Sequence, residues 1–138
     1  MNRLLPAWWP ALVVGVLLGL SLVLSPARPA VAGSVDWHEV PASEAGRQWW
    51  DAGSLRLSRG GYLSVLSRFQ PAADGDDRPR ANDLYVMEID CDQGLYRDTS
   101  VNGIPRFGGE WQAAGSDLLI DAVIDQSCAA GSALLQAA

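Results

Sequence analysis

There is no lysine in this chain. Its 138 residues carry ten basic side chains, all arginine, against sixteen carboxylates, for a formal charge of −6. That balance excludes the basic stripe needed to hold nucleic acid or an anionic lipid surface, so no nucleic-acid partner is expected. Histidine is nearly as scarce, His38 being the only one. With two cysteines and no paired-cysteine spacing, a zinc site would lack a ligand. No G-x-S-x-G elbow, phosphate-cradling glycine loop or H-E-x-x-H motif occurs. The expectation is a non-enzymatic protein with no metal and no cofactor.

Long apolar runs are scarce too, and the one present lies at the start. Arg3 supplies a positive n-region, Ala11 to Leu24 is uncharged and apolar, and Pro26 ends the run. Ala30-Val31-Ala32 then gives the small-x-small pattern of a signal-peptidase site. Residues 1–32 read as a signal peptide cleaved before Gly33. The rival is an uncleaved N-terminal membrane anchor, since Leu4 to Leu24 approaches the roughly 20 residues that span a bilayer. No twin arginine is present, and no cysteine stands after the cleavage site as a lipoprotein would require. Either way, the chain beyond Ala32 is exported, to the periplasm or the extracellular space. Every acidic residue lies in that part, which reads as one domain over 33–129 and a flexible tail over 130–138.

Two cysteines, Cys91 and Cys128, remain after cleavage. In an oxidising compartment an even pair reads as a disulfide, and two cysteines leave no ambiguity in connectivity. A nucleophilic Cys91 assisted by His38 would have to stay reduced, and no group to orient the imidazole is evident.

Short β-like stretches dominate the rest. "SVDWHEV" alternates weakly, and Ser54–Ser58 and Tyr62–Phe69 read as strands around a turn at Arg59-Gly60-Gly61. Leu63, Val65, Ser67 and Phe69 fall on one face of the second, with Ser64 and Arg68 on the other. In "LYVMEIDC", Tyr85, Met87, Ile89 and Cys91 share a face, while Glu88 and Asp90 point away. A turn at Gln93-Gly94 would set Cys91 opposite Tyr96 and Asp90 opposite Arg97. Asn102-Gly103 signals a second hairpin, and Pro105 confines its outgoing strand to an edge. The period then changes. Ser116 is the expected N-cap, with Asp117 in the first turn of a helix through "DLLIDAVIDQSC". Leu119, Ile120, Val123 and Ile124 form its apolar stripe, Cys128 continues it, and Gly131 ends the helix. The fold class that results is α+β: an antiparallel sheet of about five or six strands, one C-terminal helix packed on it, and a single disulfide. The helix turns its cysteine toward the sheet that carries the other.

Two surfaces are candidates for function. Glu88 and Asp90, roughly 6.6–7 Å apart by strand rise, could imitate the carboxylate pair of an inverting glycosidase or hold a metal. This acidic face is the alternative to a binding function. "DGDD", Asp74 to Asp77, invites calcium but fails the EF-hand pattern, because Tyr85 stands where the twelfth-position glutamate belongs. The tryptophans offer more. Trp49 and Trp50 are adjacent, so on a strand they face opposite ways. The outward one is either covered by a loop or helix or is part of an interaction surface, where aromatics serve as anchors.

The order of these pieces resembles the surface-adhesin protein E-like domain of secreted bacterial proteins. It comprises a tryptophan-led first strand, "DAGSLRL" before a glycine turn, "YVMEIDC" with "YRD" behind it, Trp111, and a capped segment ending in cysteine. The likeness covers nearly all of Asp36 to Cys128. It implies an α+β domain with Cys91 at the end of a central strand and Cys128 after the last helix. It also implies a partner that is another protein or a cell-surface component, since the name-giving member is an adhesin engaging host matrix proteins. This chain lacks that adhesin's lipobox cysteine and its lysines, so neither lipid tethering nor lysine-mediated binding carries over.

Overall fold

The computed structural model describes residues 33–73, 75 and 81–137. The expected signal peptide and Asp74, Asp76 and Asp77 of the calcium reading lie outside them. The described chain is an antiparallel meander. It runs β1 (Trp37–Glu39), β2 (Gly46–Leu57), β3 (Leu63–Pro71), β4 (Asp83–Asp90), β5 (Leu95–Val101), β6 (Ile104–Pro105) and β7 (Gln112–Ala113). Two helices complete it, α1 (Leu118–Ala130) and α2 (Ser132–Gln136). Strands β1 to β6 pair in sequence order, and β7 returns to pair with β5. Two short strands thus cover the outer edge of β5 in succession, leaving less of it open to another chain.

Period-2 patterning decides which face is inside. Leu63 and Val65 of β3 and Met87 and Ile89 of β4 are at most 1% exposed. They meet Leu119, Val123 and Ile124 of α1 in one core cluster, with Cys91 and Cys128 packed at its margin. Fully burying each such side chain stabilises the fold by roughly 1.5–3 kcal/mol. Cys91 and Cys128 form the disulfide, with Cα atoms 5.7 Å apart, so α1 is covalently fixed to the end of β4. Closing a loop of 37 residues is worth about 3.8 kcal/mol on the chain-entropy model.

Four local expectations shift. Strand β2 is much longer than Ser54–Ser58, beginning at Gly46 and carrying both Trp49 and Trp50. Between Asp51 and Arg56 its pairing with β3 slips. There the Ser54 hydroxyl donates to Asp51 O and accepts from Leu66 N–H, filling the gap in the ladder.

The β4–β5 turn also differs. Asp90 pairs with Leu95, Ile89 with Tyr96 and Glu88 with Arg97, two positions away from the expected register but on the same faces. The Asp90 carboxylate accepts from the N–H groups of Asp92 and Gln93 and from the Gln93 amide. Gly94 takes φ 64°, so the turn closes on Asp90 rather than after it. The Asn102-Gly103 hairpin forms as expected, with both residues at positive φ and Val101 opposite Ile104.

The N-cap of α1 is Asp117 and not Ser116. Its carboxylate accepts from Leu119 N and Ile120 N at 3.0 and 3.1 Å, reaching both free donors from one position nearer the helix. Gly131 has an ordinary φ of −85°. Its role is space, since a Cβ there would lie 2.7 Å from Leu63 Cδ1. The chain therefore turns directly into α2, where the sequence suggested a tail.

Candidate functional site

Helix α1 covers one face of the sheet, and the other carries the side chains that point away from it. Trp50 is on the helix side, 4% exposed, and its Nε1–H donates to Gln126 Oε1 of α1 at 2.9 Å. His38, opposite Trp50 in the β1–β2 register, stacks on it at 4.8 Å. Its Nε2 lies 3.3 Å from Asp36, and the sulfur of Cys91 is in the disulfide. A thiol nucleophile assisted by His38 therefore has no geometry behind it. Trp50 is a core residue.

Trp49 points the other way, yet is only 8% exposed. Arg68, directly across in β3, lays its guanidinium 4.3 Å from the Trp49 ring centroid, and Arg47 lies at 4.8 Å. Arg68 also reaches the Trp37 ring of β1 at 5.1 Å. Arg47 is held by Glu39 in a two-pronged ion pair at 2.6 and 2.8 Å. That bond to Arg47 is the main reason the Glu39 carboxyl titrates below its usual range. Among the described residues no carboxylate pairs with Arg68, and its Nε is buried without a hydrogen-bond partner.

A second stack stands toward the other end of the same face. Glu88 of β4 pairs with Arg97 of β5, Oε2 to Nη2 at 2.6 Å, with the Nε–H donating to the same oxygen at 2.8 Å. Arg97 in turn lies 4.5 Å from the ring centroid of Trp111, and Trp111 meets Tyr62 at 4.6 Å. This answers the acidic-face reading. The Glu88 side chain is 13% exposed and neutralised by Arg97, while the Asp90 carboxylate holds the turn. Each carboxylate thus has structural partners of its own. Among the described residues, no three His, Cys, Asp or Glu side chains gather closely enough to hold a metal ion.

The uncovered face is thus built from arginines on aromatic rings, an arrangement in which Arg is preferred over Lys because its planar cation stacks and still projects N–H donors. The absence of lysine acquires a physical sense here. A surface adhesin-E family model matches residues 38–134. The chain belongs to the surface adhesin-E family. The matched span runs from β1 into α2 and includes the disulfide, the Glu88–Arg97–Trp111 stack and, apart from Trp37, the first stack of this adhesin-E domain. No curated protein and no solved structure matches the chain.

The paired arginines were not visible in the sequence. Trp49 and Arg68 are distant along the chain and meet only because β2 and β3 pair as they do. The available signal was composition: eight arginines and four tryptophans after Ala32, with no lysine.

Proposed function

We propose that this adhesin-E domain is an exported, non-enzymatic binding domain, periplasmic or extracellular. It engages another protein or a cell-surface component through the face of its sheet opposite α1. The observation that carries this reading is the Arg68 guanidinium, stacked between Trp37 and Trp49 with no carboxylate partner among the described residues. The buried Arg68 Nε–H lacks an acceptor, and a buried donor left unpaired is costly within a free domain. It becomes favourable when a partner supplies an acceptor, and arginine and tryptophan are the residues most often found at binding hot spots. Family membership supports a role at a surface, and the disulfide suits an oxidising compartment.

The test uses the purified domain immobilised against envelope and matrix preparations. Arg47→Glu and Arg68→Glu should abolish retention. Asp125→Lys, on the exposed side of α1, should leave it unchanged. Loss of retention with Asp125→Lys alone would place the binding surface on the helix side and refute the proposal. Intact mass of the exported protein should begin at Gly33; a mass that includes Met1 would favour the membrane anchor.

A further inference from the structure

On the helix side of the sheet, where α1 begins, a cavity of about 260 Å³ opens between β2, β3, β4, β5 and the first turn of α1. Its walls include the rings of Phe69, Tyr85 and Tyr96 and the carboxylate of Asp98. No basic side chain lines it. Among the described residues no N–H or O–H donates to the Asp98 carboxylate, and the two tyrosine hydroxyls have no hydrogen-bond partner. Asp98 stands opposite Met87 in the β4–β5 register, which turns it toward the covered face rather than toward solvent. Burial is the main cause that raises its titration, and Arg106 opposes it only through its field, making no ion pair with it.

The nature of these groups selects the ligand. The helix end could have offered donors to an anion, but Asp117 already takes the N–H groups of Leu119 and Ile120. What converges on the cavity is a set of acceptors, an unpaired carboxylate and aromatic faces. Rings around a negative group are the recognition chemistry of alkylammonium ions. The volume lies just below the roughly 300–1,000 Å³ of drug-sized sites, which fits a single head group and not an extended molecule. We propose that this cavity is a binding site for an organic ammonium group, with Asp98 as counter-ion and Phe69, Tyr85 and Tyr96 as its aromatic walls. The site is distinct from the arginine-stacked face, and nothing in the proposed partner binding depends on it.

The experiment is calorimetric titration of the exported protein with choline, butylammonium and N-acetyl-lysine methylamide. The uncharged choline isostere 3,3-dimethylbutanol and acetate serve as controls. At least one cation should bind saturably at one site, with dimethylbutanol at least about tenfold weaker and acetate not binding. Preference for choline would indicate a quaternary ammonium such as a lipid head group as the natural source, preference for butylammonium a free amine, and preference for the lysine derivative a protein side chain. Asp98→Asn, which keeps size and shape, should weaken the cation at least about tenfold. Tyr96→Leu should weaken it several-fold, and Tyr96→Phe should retain most of it. A single cooperative thermal melt for each variant would confirm that it is folded, and Tyr96→Phe against Tyr96→Leu stands on its own should Asp98→Asn fail to fold. No saturable binding of any cation, equal binding of the neutral isostere, or undiminished binding by folded Asp98→Asn would overturn the proposal.

Discussion

Arg68 and Trp49 allow the packing of the uncovered face to be tested by a double-mutant cycle. Changing Arg68 to Met keeps an apolar stem over the rings while removing the cation. Its guanidinium lies 4.3 Å from Trp49 and 5.1 Å from Trp37. Cation–π contacts are worth about 0.5–1 kcal/mol at exposed sites and about 2 when desolvated, so about 1–2 kcal/mol is lost across the pair. Against that, the substitution removes a buried Nε–H with no acceptor, whose burial costs about 1–3 kcal/mol. The single substitution should therefore be close to neutral, within about 1 kcal/mol, and by itself tells little. The cycle separates the two effects. With Trp49→Leu as the second arm, urea unfolding of the four proteins should give a coupling of about 1 kcal/mol between Arg68 and Trp49, with the m-value unchanged. Additivity to within about 0.3 kcal/mol would show that Arg68 only fills space, and the stacked face would lose its energetic basis.

Three further outcomes are expected. Replacing both cysteines by serine should lower stability by up to about 3.8 kcal/mol, read as a drop in the urea midpoint, because α1 is then held to β4 by packing alone; an unchanged midpoint would contradict the staple. Gly131→Ala should destabilise by about 1–3 kcal/mol, since the new Cβ would press on Leu63, which is fully buried in the core. A neutral result would mean that α2 can lift away freely. Asp98 has its pKa raised by burial. A carboxyl with a raised folded pKa stabilises most below its unfolded pKa, and that stability is lost as pH rises through the folded value. Thermal melts of Asp98→Asn should thus exceed wild type near neutral pH and converge with it in acid, where Tyr85, Tyr96 and Arg106 keep their charge states. Convergence at high pH instead would reverse the sign of the argument.

Much of the architecture was legible because it rests on short-range patterns. The period-2 alternation of Tyr85, Met87, Ile89 and Cys91 fixes which face of β4 is inside. The 3.6-residue period from Leu119 to Cys128 does the same for α1, and two cysteines admit one pairing. Asn102-Gly103 dictates its own turn. What could not be read depends on register. The slip between Asp51 and Arg56 is set by the Ser54 hydroxyl, and it lets Trp49 face Arg68 while Ser64 still meets Arg56. The β4–β5 pairing is decided by Asp90 closing the turn, and that choice brings Arg97 to Glu88 rather than to Asp90. Trp111 had no strand partner to suggest its place, because β7 is two residues long and pairs back to β5 after an intervening strand. The ammonium cavity is a still less local feature. Its walls come from four strands and a helix end, and Asp98 looks like an ordinary surface aspartate until its neighbours are known.

The most direct measurement is a thiol count on the exported protein, alkylated in denaturant before and after reduction. A helix tied by cystine to one face of the sheet, leaving the other for binding, requires no alkylated cysteine before reduction and two afterwards, Cys91 and Cys128. Two alkylated cysteines in the unreduced sample would contradict both the covalent link and the oxidising compartment inferred from it.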